Sequence, residues 1–162
     1  DMFLFSFYTR GMSFIDMAYL KKSDLKNGII TYRRRKTGQQ LTVKWEKCME
    51  DIIAKYGENT ATRYLLSIIT NPCSDERTQY RNAICRINVA LKEVAGLAGL
   101  NIPLTMHVAR HCWASVAKSK NIPLSVISEG MGHDSEETTR IYLASLDTSV
   151  VDKANSLILK DF

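Results

Sequence analysis

Side chains that can handle a phosphate are grouped in the last third of the chain. His107 and Arg110 are three residues apart, so on a helix they would share a face. His133 follows Arg110 by twenty-three residues, and Tyr142 follows His133 by nine. Arginine presents a planar fork that matches phosphate oxygens, and histidine exchanges a proton near neutral pH. Tyrosine can be a nucleophile, although a phenol with a pKa of about 10 needs help to lose its proton.

A metal site fits this group less well. Two histidines without a cysteine or carboxylate at ligand spacing argue against zinc, and we expect no cofactor. The third histidine, His111, has a structural interpretation as good as a functional one, so we leave it outside the predicted site.

The elements that must position these residues are helices. A turn before Pro123 leads into a helix whose apolar residues recur at helical spacing, and glycines including Gly132 suit its end. The run that begins at Asp134 is typical of a cap and acidic first turn, which places Tyr142 about two turns into the next helix.

With these motifs in order, the sequence resembles the tyrosine recombinases, also called the phage integrase family. Their signature is H-x-x-R, then a G-H pair, then a tyrosine nine residues on. Here these motifs are His107-Val108-Ala109-Arg110, Gly132-His133 and Tyr142. The resemblance covers nearly the whole chain and implies an α+β, mainly α fold, a helical catalytic domain with a small antiparallel β-sheet.

The family's first motif, T-G-x-R-x-x-E, is altered. Gly11 and Asp16 keep their places, but Ser13 stands where the arginine is expected. Arg10 lies three residues earlier, and its long side chain could reach the same phosphate. We therefore predict that Arg10 takes the role. The alternative is a surface arginine near a helix start, which would leave the site one guanidinium short.

A hairpin is predicted within residues 29–45, where two β-rich runs flank a turn containing Gly38. Lys36 lies just before the turn, and the resemblance implies that it is a general acid. Three neighbouring arginines would form a basic edge that contacts DNA phosphates without reading sequence: Arg33, Arg34 and Arg35. The alternative is that these charges protect an exposed sheet edge.

The remaining pattern predicts scaffold. A helix, a turn and a second helix are expected over residues 2–20, a short strand from about 23–25, and helices over 46–57 and 75–99. The stripe of the longest helix should comprise Ile84, Ile87, Leu91, Val94 and Ala95.

Composition is compatible with this interpretation. The 162 residues are 45% hydrophobic and carry a net charge of +5, which suits one domain with a nucleic-acid partner but is shared by many proteins. No apolar run approaches the ~18 residues of a membrane span. The four cysteines form no C-x-x-C pair, so we expect reduced thiols in a cytoplasmic protein.

The chain starts at Asp1 inside an apolar run, so we expect 1–162 to be a catalytic-domain fragment. The resemblance implies a missing N-terminal core-binding domain that grips DNA. Residues 150–162 have an apolar helical face. The resemblance implies that this helix packs on a neighbouring subunit and that the protein assembles as a tetramer on double-stranded DNA. The alternative is that the helix folds onto its own core.

The resemblance also implies a mechanism that uses neither metal nor ATP. Tyr142 would attack a DNA phosphate and form a 3′-phosphotyrosine, which a 5′-hydroxyl would later resolve. Arg110 and Arg10 would stabilise the phosphate charge, and Lys36 would protonate the leaving oxygen.

His107 would accept the phenol proton, and His133 would hydrogen-bond the phosphate. Two alternatives stay open. One is a DNA-binding module that has lost cleavage because of Ser13, and the other is a type IB topoisomerase-like enzyme.

Overall fold

A computed structural model describes residues 1–57 and 60–144. The chain divides into two compact units, residues 1–113 and 114–162. The described residues form seven helices and one three-stranded antiparallel sheet, so the predicted α+β, mainly helical class is confirmed. That residues 1–162 form one catalytic domain stays a prediction. In chain order the elements are α1 (Met2–Tyr8), α2 (Phe14–Ala18), a 3-10 turn (Lys22–Asp24), β1 (Leu25–Lys26), β2 (Ile29–Arg33), β3 (Gln40–Lys44), α3 (Lys47–Tyr56), α4 (Glu76–Leu97), α5 (Met106–Ser119), α6 (Leu124–Met131) and α7 (Glu136–Ala144).

The turn between α1 and α2 explains the unexpected serine. Ser13 is the N-cap of α2, where its hydroxyl oxygen accepts the N–H of Asp16 at 3.4 Å. The same hydroxyl donates to Oδ2 of Asp16 at 2.6 Å. Serine is a favoured N-cap because its oxygen satisfies an N–H that has no partner within the helix. Position 13 therefore caps a helix and holds a buried carboxylate.

The sheet has the order β1-β2-β3, and its hairpin is the predicted one. Alternate residues point inward, so Ile30 and Tyr32 of β2 are buried while Thr31 and Arg33 are exposed.

The prediction that a strand begins at 23–25 needs a correction. Residues Lys22–Asp24 form a 3-10 turn, because the Asp24 carboxylate accepts the N–H of Lys21 at 2.8 Å and closes the chain on itself. The strand that follows, Leu25–Lys26, has two residues.

The core of the first unit lies between the sheet, α1, α2, α3 and one side of α4. Its members include Phe5, Met17, Ile30, Met49 and Leu66. Ile84, Ile87 and Leu91 pack against this core as predicted, and Ala95 is buried. Val94 was wrongly placed in the stripe, since it is 50% exposed. It lies about 100° around the helix from Ala95.

In the second unit, α6 and α7 pack together through buried residues that include Ile127, Met131 and Leu143. Helix α6 ends at Gly132, whose left-handed backbone (φ 63°, ψ 50°) makes the predicted glycine C-cap. The helix expected over 150–162 lies outside the described residues. None of the helices in the described part of the chain is both long and apolar enough to cross a membrane.

Candidate active site

Arg110 is fixed in the interior of the first unit. Its side chain is 7% exposed, and Nη1 donates to the carbonyl oxygen of Gly11 at 2.8 Å. The two residues approach so closely that a Cβ at position 11 would lie 2.7 Å from Cγ of Arg110 and 2.9 Å from its Cα. Gly11 also has a φ of +75°, which side chains rarely adopt. The turn after α1 and the start of α5 therefore hold this guanidinium in one place.

His107 lies one turn before Arg110 on the same helix. Its pKa is lowered below the ordinary value by burial, then by the charge of Arg110 and then by that of Lys36. Lys36 is on the exposed hairpin loop, so that loop lies close enough to α5 to act on the imidazole. A lowered pKa keeps His107 neutral at neutral pH, the state that can accept a proton.

His111, which we left outside the predicted site, adjoins His107. The two rings are 4.3 Å apart with an interplanar angle of 88°. Burial, His107 and Arg110 lower the pKa of His111 as well.

The pKa of the buried Tyr32 phenol depends on several charged side chains of the first unit. Burial and the Asp16 carboxylate raise the pKa of Tyr32 far above its ordinary value, while Arg110, Arg34 and Arg10 oppose that rise, in that order. The charges of three guanidiniums and one carboxylate therefore act on this phenol. Arg10, on the turn after α1, is half-buried and has a left-handed backbone (φ 61°).

The three consecutive arginines are not equivalent. Arg33 and Arg35 are exposed, whereas Arg34 is 8% exposed and so does not share the basic edge predicted for all three. The backbone N–H of Arg35 donates to Oδ1 of Asp16 at 2.8 Å, and its guanidinium lies 3.9 Å from the centroid of the Tyr19 ring. Contact of these arginines with DNA stays a prediction.

In the second unit, His133 and Tyr142 lie side by side. Their ring centroids are 5.5 Å apart, and the planes make an angle of 71°. Nδ1 of His133 is 2.8 Å from Oγ1 of Thr139, a buried residue of α7. The backbone N–H of His133, the residue after the Gly132 cap, donates to the carbonyl oxygen of Ser128 at 3.0 Å. The G-H pair and the tyrosine are thus positioned by the end of α6 and one face of α7.

The predicted site residues fall into two groups. Arg10, Lys36, His107 and Arg110 belong to the first unit, and His133 and Tyr142 to the second. Sequence reasoning missed Thr139, which had no distinguishing signal. It also missed the buried position of Arg34, although the alternation of Ile30 and Tyr32 points to it.

Comparison with known proteins identifies the family. The model of the phage integrase family matches residues 2–149, so the chain belongs to that family. No curated protein matches the sequence.

The fold is that of solved recombinase structures. XerA recombinase is 21% identical with a TM-score of 0.67, over 96% of this chain and 56% of the other. XerH recombinase bound to a palindromic difH substrate is 20% identical with a TM-score of 0.66, over 96% and 44%. A lambda integrase dimer bound to a COC′ core site is 18% identical with a TM-score of 0.58, over 88% and 50%. The chain therefore spans about half the length of these proteins.

Proposed function

We propose that the chain is the catalytic domain of a site-specific DNA recombinase or integrase, in which Tyr142 cleaves and rejoins strands through a 3′-phosphotyrosine. The observation that carries the proposal is the H-x-x-R motif of the first unit. There Nη1 of the buried Arg110 donates to the carbonyl oxygen of Gly11, and His107, one turn away, has a pKa lowered by burial and by the neighbouring cations. A phosphate needs the first group and a phenol needs the second.

The reaction proceeds in two balanced steps. The Tyr142 oxygen attacks the phosphorus in line, the bond to the 5′ oxygen breaks, and the phenol proton passes to His107. Lys36 gives a proton to the leaving 5′ oxygen. A 5′-hydroxyl from another strand then attacks the phosphotyrosine, passes its proton to the neutral Lys36 amine and forms a new phosphodiester. The bond to the Tyr142 oxygen breaks, and the protonated His107 returns its proton to that oxygen. The ester retains the energy of the original bond, so the exchange requires neither ATP nor a metal.

Charge on the non-bridging oxygens grows as the tyrosine attacks. Arg110 stabilises that charge, and His133 donates a hydrogen bond to the same phosphate. That Arg10 is the second cation stays a prediction from sequence. Loss of one such preorganised donor costs on the order of 10²–10³ in rate in other enzymes.

Double-stranded DNA is the proposed partner. The similar XerH and lambda integrase structures are bound to a difH substrate and a COC′ core site, and the net charge of +5 suits a polyanion. Arg33 and Arg35, exposed on the hairpin, contact phosphates in this proposal. Assembly of a tetramer through residues 150–162 rests on the family resemblance alone.

The test uses duplexes with randomised sequence around a nick, placed so that cleavage releases a short fragment and traps the enzyme on DNA. The full-length protein is incubated with this library, and adducts that survive denaturation are recovered and sequenced. We expect adducts with a shared site, and none with Tyr142→Phe. Binding without adducts would instead identify a DNA-binding module. Relaxation of plasmids that lack the recovered site would identify a topoisomerase-like enzyme.

A further inference from the structure

We propose that Arg34 supplies the guanidinium that Ser13 leaves out, and that it contacts a non-bridging oxygen of the scissile phosphate. This inference rests on the proposed function and adds a catalytic residue to it.

The first argument is the position of Arg34 on the hairpin. Side chains of β2 alternate, with Ile30 and Tyr32 inward, and Arg34 continues that phase one residue beyond the end of the strand. The backbone N–H of Arg34 donates to Gln39 at 2.9 Å, which extends the pairing of the strands to this residue. Its side chain therefore starts on the same face as the Tyr32 phenol and away from the exposed edge.

The second argument is a short chain of hydrogen bonds to position 13. Ser13 donates to Oδ2 of Asp16, and Oδ1 of the same carboxylate accepts the N–H of Arg35. One buried side chain thus bridges the place where the family's arginine is expected and the residue next to Arg34. A guanidinium at the first residue of the hairpin loop can therefore contact the phosphate that an arginine at position 13 would contact.

The third argument is the charge around the Tyr32 phenol. The Asp16 carboxylate, which is 4% exposed, raises the pKa of this phenol, and the charges of Arg110, Arg34 and Arg10 lower it. Attack on a phosphodiester produces a phosphorane with two negative charges, which guanidiniums in this region would stabilise.

Arg34 is preferred to Arg10 for two reasons. Its side chain is more enclosed, so a hydrogen bond from it to an anion is less weakened by water. Its charge also acts more strongly than that of Arg10 on the Tyr32 phenol.

The experiment measures single-turnover cleavage on the duplex recovered from the nicked library, using the full-length protein. Arg34→Ala should cleave about 10²–10³-fold more slowly than wild type, a larger loss than that of Arg10→Ala, and Arg34→Lys should restore part of the rate. The matched control is Arg77→Ala, which removes an exposed guanidinium from α4 and should stay within about twofold of wild type.

A second substrate separates catalysis from folding. A methylphosphonate at the scissile position removes one negative charge, so the loss caused by Arg34→Ala should shrink to less than about tenfold on it. An equal loss on both substrates would make Arg34 structural and overturn the inference, as would cleavage by Arg34→Ala within about threefold of wild type. Failure of the wild-type protein to form any adduct would instead refute the proposed function.

Discussion

Nδ1 of His133 and Oγ1 of Thr139 lie 2.8 Å apart, with the threonine fully buried. If the hydroxyl donates to Nδ1, the remaining proton of a neutral imidazole is on Nε2, the atom that could then donate to a phosphate. A threonine outside the family's motifs would in this way set the tautomer of a histidine inside them.

Thr139→Val should therefore slow cleavage by about 10- to 100-fold, by analogy with the loss of hydrogen bonds that orient metal-binding histidines. Thr139→Ser keeps the hydroxyl and should retain most of the rate. The measurement is single-turnover adduct formation, repeated in a His133→Ala background. There Thr139→Val should have little further effect, and an undiminished additional loss would contradict a role through His133.

Gly11→Ala should lower the unfolding free energy by more than the left-handed backbone at position 11 alone explains. A left-handed alanine costs about 1–2 kcal/mol, and crowding in a packed interior typically adds 1–3 kcal/mol. Gly28→Ala is the matched control, because Gly28 has a φ of +72° but open space around its position. Urea unfolding should show a larger loss of unfolding free energy for Gly11→Ala. Equal losses would show that the contact with Arg110 is unimportant.

Lys36→Gln should raise the pKa of His107, because the lysine is one of the two cations that lower it. NMR titration of the histidine ring protons measures this shift. Lys44→Gln, which removes an exposed lysine from β3, should leave the titration unchanged. An unchanged His107 in Lys36→Gln would place the hairpin lysine away from the site.

The lowered pKa of His107 in the folded protein also makes stability depend on pH. His107 binds protons less readily in the folded protein than in the unfolded chain, whose histidines titrate near 6.5. Its contribution to stability is therefore complete above that pH and is lost as the pH falls through the lowered folded pKa. As the pH falls over this range, the unfolding free energy of Lys36→Gln should decrease less than that of wild type. Urea unfolding at a series of pH values measures this difference.

Arg33→Ala should weaken DNA binding evenly across sequences, because a phosphate contact carries no base information. The slope of log Kd against log salt should fall in magnitude by about 0.9, the value for one lost phosphate contact. Arg77→Ala serves as the exposed arginine control. A loss confined to particular sequences would indicate that Arg33 reads bases.

Much of this arrangement follows from local sequence rules. The hairpin, the glycine end of α6 and the acidic start of α7 were predictable because turns and caps depend on a few neighbouring residues. The shared face of His107 and Arg110 followed from helical spacing. The motifs that carried the family resemblance were recognised from residue types and spacing alone.

Other features depend on contacts between distant parts of the chain. The burial of Arg110 against Gly11 joins residues separated by 99 positions, and the bond from Arg35 to Asp16 spans 19. Charge alone predicts that all three arginines at 33–35 are exposed. The alternation of the strand instead places the middle one, Arg34, on the buried face. The Asp24 side chain closes a turn where we expected a short strand to begin.

The tight approach of Gly11 to Arg110 also constrains how this chain can diverge. Position 13 holds a serine that caps α2 where the family resemblance led us to expect an arginine. Position 11 offers no comparable freedom, since even a methyl group meets the stem of the arginine. Among functional variants, we expect substitutions at Ser13 to be more frequent than substitutions at Gly11, although Gly11 has no side chain that could take part in the reaction.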